Sequence, residues 1–194
     1  MTPSRKPPAP GSHEWSLGVA GISGVDVSPA SPLVIVGLGN EIASDDGVGI
    51  HAAHALEAVF RDRDDVEVVA LPWAGFALLD VLRGRRRAVL IDGLTTGGHR
   101  PGTVVRLDEA DLGGSVRLNS FHDINYPTVM ALGRSIGWGM PEEVAIWGIE
   151  TAIPDEFGEK LTPEVAEAVV TVIHEVSLFV TATDAAIDER ARVS

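Results

Sequence analysis

Two adjacent carboxylates, Asp45 and Asp46, follow a small-residue turn, Gly37-Leu38-Gly39-Asn40, that closes the apolar run Leu33–Gly37. A glycine-rich turn after a strand suits a phosphate, which binds through free backbone N–H groups and the positive end of a helix dipole. Here two negative charges stand where the phosphate would sit. The dinucleotide fingerprint is also incomplete, since Ile42 falls at its third glycine. Nucleotide binding is therefore disfavoured. The same helix-start field holds a carboxylate ionised, and an ionised carboxylate at the mouth of a sheet can ligate a cation. The alternative is that both aspartates only open a helix, with Ser44 as its cap.

A third carboxylate, Asp92, ends the apolar run Arg87–Asp92 (RAVLID). In an open parallel sheet, ligands gather beyond the carboxyl ends of strands, where neighbouring connections diverge. If this run pairs with Leu33–Gly37, Asp46 and Asp92 share one crevice. Otherwise Asp92 merely caps the turn at Gly93.

Of six histidines, His122 stands out, because Ser120 with Asp123 three residues later reads as a capping box that would aim the imidazole. The plainer reading is an ordinary loop histidine. His51 and His54 could share a metal or simply lie on a partly exposed helix face. His13 and His99 fall in Pro- and Gly-rich stretches, and His174 lies in the last helix. Ligands at such a rim are expected to be exposed or half-exposed, so replacing one should cost little stability.

The chain has no cysteine, which excludes disulfides, thiolate zinc sites, iron–sulfur clusters and cysteine nucleophiles. A metal site must then use His, Asp and Glu, which suit borderline or hard divalent ions. G-x-S-x-G, H-E-x-x-H and P-loop patterns are missing, so catalysis would be metal-assisted rather than covalent. The net charge of -13 argues against nucleic acid or an anionic membrane as partner. No secretory pattern is seen, and cytoplasm is the default location.

The elements that must position these residues alternate. Strands are expected at 33–37, 66–71, 87–92, 102–107 (near a sheet edge) and 144–149. Helices are expected at 45–60, 75–82, 123–136 and 162–180. The first should bury Val48, Ala52, Ala55, Leu56 and Val59; in the last, Thr162 caps and Pro163 takes the first turn. The pattern implies an α/β layered fold with a mostly parallel sheet. Residues 1–31 read as a flexible extension in which 15–27 can dock on the body, residues 32–180 as a single domain, and 181–194 as a frayed or solvated tail.

At this point the residues resemble the nickel-dependent maturation proteases of [NiFe] hydrogenases. The resemblance rests on Gly37-Leu38-Gly39-Asn40, Ser44-Asp45-Asp46-Gly47-Val48-Gly49, Trp73-Ala74-Gly75 and Leu90-Ile91-Asp92. It continues through Pro101-Gly102-Thr103, Ser120-Phe121-His122, Trp147-Gly148-Ile149-Glu150 and Leu161-Thr162-Pro163. It implies a three-layer α/β/α sandwich, phosphorylase/hydrolase-like, with a twisted five-stranded sheet. It further implies an endopeptidase that removes the C-terminal tail of the hydrogenase large-subunit precursor after nickel insertion. The metal-contacting and catalytic positions then fall on Asp46, Asp92 and His122, with nickel carried in by the precursor and other divalent ions able to substitute. Asp45 and Asp123 become candidates for supporting or proton-transfer roles. The acidic residue that several relatives carry before the Trp73 turn has no counterpart in Ala70-Leu71-Pro72. A non-catalytic, nickel-dependent assembly factor that grips the precursor is the competing reading.

Overall fold

Leu33–Leu38 is buried at all six positions and forms strand β1. An unbroken apolar run is what a strand covered on both faces requires. The structure is a computed structural model, and it describes residues 32–72, 74–113, 118–120, 126–152 and 158–193. After β1 come a 3₁₀ turn, Ser44–Gly47, helix α1 (Val48–Val59) and strand β2 (Val66–Leu71). Helix α2 (Ala77–Leu82), strand β3 (Arg87–Leu94) and strand β4 (Val104–Leu107) follow. Helix α3 (Tyr126–Ser135), strand β5 (Glu143–Glu150) and helix α4 (Pro163–Val193) complete the order.

The sheet runs β2-β1-β3-β5-β4. β1 pairs in parallel with β2 and β3, β3 pairs in parallel with β5, and edge strand β4 runs antiparallel to β5. Alternate residues point to opposite faces, as strand geometry demands. Ile35, Val89, Ile91 and Ala145 meet Ala52, Leu56, Val172 and Val176 of α1 and α4. Val36, Leu90 and Ile146 meet Leu78 and Leu82 of α2 and Val129 and Met130 of α3. The expected three-layer α/β/α sandwich is therefore present, with its mostly parallel five-stranded sheet.

Several element bounds differ from the sequence reading. Helix α1 begins at Val48 rather than Asp45, because Ser44 takes a left-handed backbone (φ 52) that cannot cap a helix. Its N–H donates to the Gly158 carbonyl at 2.6 Å and its hydroxyl to the Lys160 carbonyl at 2.9 Å, so the loop is tied to the segment before α4. Val59 is exposed and Ala55 half-buried, while Ile50 and Ala53 are buried. The reason is that α1 packs on both the sheet and α4, which widens and rotates its buried face. Helix α3 starts at Tyr126; the expected start at Asp123 lies outside the described residues.

Helix α4 runs on to Val193, through the residues expected to form a frayed or solvated tail. Val165, Ala168, Val172, Val176 and Val180 form its buried stripe. Beyond them Asp184 accepts from Arg63 Nη2 at 2.8 Å and from Arg87 Nη2 at 3.0 Å, so the helix is held well past Thr181. By length and composition, Pro163–Ile187 could also cross a membrane; here one of its faces packs on α1, β4 and β5.

Candidate active site at the carboxyl rim of the sheet

β1 and β3 are neighbours, and their register runs to Gly37 opposite Ile91, one residue short of Asp92. The connection after β1 covers one face with α1, and the connection after β2 covers the other with α2. The rim between β1 and β3 is thus a switch point, where such sheets bind ligands.

The loop leaving β1 closes on itself at this rim. Asn40 N–H donates to the Asp46 carbonyl at 3.1 Å, Ala43 N–H to the Asn40 carbonyl at 3.0 Å, and Asp46 N–H to the Ala43 carbonyl at 3.2 Å. This separates the two aspartates. Asp45 is buried, and its carboxylate accepts the Thr162 N–H at 2.7 Å and the Thr162 hydroxyl at 2.9 Å. Asp45 therefore braces the start of α4, where a negative charge opposes the helix dipole. Asp46 is half-buried beside Asp92, near enough for its charge to act on that carboxyl.

Asp92 is fully buried, against the expectation of an exposed or half-exposed ligand. It lies near the end of β3, two residues before Leu94, and Asn119 and Ser120 lie against that strand end. Its Oδ1 accepts the Gly93 N–H at 2.8 Å and the Ser120 hydroxyl at 2.8 Å; its Oδ2 accepts the Ser120 N–H at 3.1 Å. Ser120 thus binds Asp92 through both its N–H and its hydroxyl, while Asp123, the other half of the expected capping box, lies outside the described residues. A small network fixes this loop further. Asn119 N–H donates to the Gly93 carbonyl at 2.9 Å, and Asn119 Nδ2 to Thr151 Oγ1 at 3.2 Å. Thr151 Oγ1 in turn donates to the Leu94 carbonyl at 3.0 Å.

His122, two residues beyond Ser120, lies outside the described residues, as does Asp123. Among the described residues no group of three or more metal-ligating side chains is gathered. Of the three expected positions, Asp46 lies near enough to Asp92 for its charge to act on that carboxyl, and His122 lies outside the described residues. Elsewhere, His54 is exposed 3.4 Å from Glu41, His99 and His174 are exposed, and His51 is half-buried.

The sequence reading missed one supporting carboxylate. Glu150 ends β5 and is buried, accepting the Thr96 N–H at 2.8 Å, the Thr96 hydroxyl at 2.7 Å and the Gly97 N–H at 2.7 Å. It pins the loop that follows β3. The signal was available, since an acidic residue closes an apolar strand there just as Asp92 does.

Burial pushes the Asp92 carboxyl from 3.8 up to about 7, and the Asp46 charge adds to this; the bonds from Ser120 and Gly93 pull the other way. Between these two values the folded chain holds the proton more tightly than the unfolded chain does. The resulting stability is complete below the lower value and lost as pH rises through the upper one. Urea unfolding across that window should show stability of the wild type falling relative to Asp92→Asn. Parallel curves for the two proteins would contradict it.

Residues 50–177 match the family model of the hydrogenase maturation proteases. The chain belongs to that family. The matched stretch includes Asp92 and His122 and begins after Asp46. The hydrogenase expression/formation protein HupD of Thiocapsa roseopersicina is 26% identical over 144 residues, 73% of this chain and 64% of that one. The alignment thus spans just under two thirds of that relative's length. HupD of Rhizobium leguminosarum bv. viciae is 25% identical over 163 residues, covering 79% of this chain and 80% of the relative. The hydrogenase maturating endopeptidase HybD of E. coli matches with a TM-score of 0.62 at 22% identity, over 78% of this chain and 93% of that chain. HybD of Thermococcus kodakarensis, a [NiFe] hydrogenase maturation protease, matches with a TM-score of 0.59 at 24% identity, over 76% of this chain and 97% of that chain. The three-layer sandwich is the fold this maturation protease family member shares with them.

Proposed function

We propose that this chain is an endopeptidase that removes the C-terminal tail of a [NiFe] hydrogenase large-subunit precursor. Cleavage follows nickel insertion, and Asp46, Asp92 and His122 read the nickel that the precursor carries. The observation that supports this most is the pairing of Asp46 with a fully buried Asp92 at the switch point of the sheet.

Two carboxyl groups whose charges act on each other oppose each other's ionisation, and a divalent ion between them would relieve that repulsion. Asp92 is already oriented for it. Three donors fix its plane, and Oδ2, with one bond among the described residues, keeps a lone pair for a further partner. Carboxylate and imidazole ligands suit nickel, while thiolates of the precursor fill the rest of its coordination sphere. Bridging the ion would hold the scissile peptide beside the rim and lower the entropic part of the barrier. The ion can also polarise the carbonyl or activate water.

Incubation of the chain with nickel-loaded precursor should lower the precursor's intact mass by that of its C-terminal tail. Metal-dependent capture with no change in mass would replace this reading with that of a non-catalytic assembly factor.

A further inference from the structure

Ile42 stands in the loop that carries Asp46, yet its side chain is left 60% exposed. A single exposed isoleucine is ordinary on a protein surface. This one is held in place. Its N–H donates to Asn40 Oδ1 at 3.3 Å, and its carbonyl accepts the Gly158 N–H at 3.1 Å. Ala43 forms a parallel bridge with Gly158, and the Ser44 N–H and hydroxyl bind carbonyls of the same segment. Ser44 is also the one non-glycine residue with a left-handed backbone among the described residues. Such strain persists only where surrounding bonds over-determine it, and it gathers at functional sites. The backbone on both sides of Ile42 is fixed while the side chain stays in solvent.

The fold puts that side chain beside the candidate site. Asp46 follows Ile42 by four residues, a span of at most about 14 Å even in extended chain. The loop is tighter than that, because the Asp46 N–H donates to the Ala43 carbonyl at 3.2 Å. The other exposed large apolar side chains lie further off. Val59 ends α1 and Ile136 follows α3, both at the opposite end of the sheet, and Val170 and Leu178 lie on α4. Phe76 shares the carboxyl end, but on the loop leaving β2, one strand further from β3. An extended peptide covers about 14 Å in four residues, so one that brings a metal to Asp46 comes within reach of Ile42.

We propose that Ile42 is a specificity-determining residue for trimming, packing against an apolar side chain of the precursor that lies within about four residues of the group meeting Asp46. This rests on the endopeptidase reading above. Covering an exposed isoleucine with an apolar partner removes both from water, which favours binding. The contact forms when the precursor docks and is kept through the transition state. It therefore acts on affinity and leaves the chemical step alone.

Steady-state trimming of nickel-loaded precursor, followed by intact mass, tests this. Ile42→Ser should raise KM about tenfold, equal to about 1.4 kcal/mol at 25 °C, with kcat and the melting temperature unchanged. Ile42→Leu should restore the wild-type KM. Val59→Ser, at a residue of comparable exposure at the far end of the sheet, should leave KM as it is. Serine replacements of the precursor's apolar residues near the cut should reveal one partner. Its loss raises KM for the wild type and adds nothing for Ile42→Ser. An unchanged KM in Ile42→Ser, an equal rise in Val59→Ser, or the lack of any such partner overturns the inference and leaves the endopeptidase reading intact. So does a wild-type chain that sediments as a dimer while Ile42→Ser sediments as a monomer, since a second copy is then the occupant. A wild-type chain that does not trim the precursor overturns both.

Discussion

Asp92→Asn lowers the proposed trimming rate by about 100-fold or more while the chain stays folded. Residues that merely support a metal ligand typically cost 10–100-fold when replaced, so a residue that meets the ion itself should cost at least the upper end of about that range. Asparagine keeps the shape of the side chain. Its oxygen can still accept from Gly93 N–H and the Ser120 hydroxyl, as Oδ1 does now. Its amide nitrogen faces the Ser120 N–H, and that lost bond costs about 1–3 kcal/mol. Removal of a carboxyl whose ionisation burial opposes offsets part of this near neutral pH. Intact-mass kinetics with nickel-loaded precursor, set beside a thermal melt, separates the two effects. A folded Asp92→Asn protein that trims at the wild-type rate would remove Asp92 from the chemistry.

Gly49→Ala has the second large effect, and it falls on the fold. A Cβ at Gly49 would stand 2.2 Å from the Leu38 carbonyl oxygen and 2.3 Å from that of Ile91. Both clashes are with backbone, in strands paired on both sides, so no rotamer change relieves them. Gly37 meets the same contact from the opposite side, its Cβ falling 2.0 Å from the Gly49 carbonyl oxygen. The two glycines let α1 settle onto β1 and β3 directly beneath the rim that carries Asp46 and Asp92. Overpacking a core typically costs about 1–3 kcal/mol, and clashes between two rigid backbones lie at or above the top of that range. At about 2–4 °C per kcal/mol for a chain of this size, the melting temperature should fall by roughly 10 °C. A Gly49→Ala protein melting within a degree or two of wild type would show that α1 sits further from the sheet.

Much of this was legible in the sequence, for identifiable reasons. The runs LVIVGL and RAVLID lack alternation because helices cover both faces of the sheet, and such runs read as inner strands without any long-range information. Asp92 was legible as a polar residue closing one of these runs, and its pairing with Asp46 followed once β3 was placed beside β1. What failed depended on partners distant in the chain. The start of α1 is set by bonds from Ser44 to Gly158 and Lys160, and the persistence of α4 by Asp184 bridging Arg63 and Arg87. Asp45 and Asp46 are adjacent and chemically identical, yet Thr162 claims one and leaves the other beside Asp92. Ser120 matched a helix-start pattern, and nothing in that pattern showed that its hydroxyl donates to a buried carboxylate. Local spacing cannot rank such competing acceptors, because the ranking depends on which one burial leaves in greater need.

The central claim is that the rim built by Asp46 and Asp92 reads nickel in the precursor before cutting. The most direct measurement is intact-mass analysis of two matched precursor samples, one nickel-loaded and one nickel-free, each incubated with the wild-type chain. The account predicts loss of the C-terminal tail from the loaded sample alone. Equal shortening of the nickel-free precursor would contradict it.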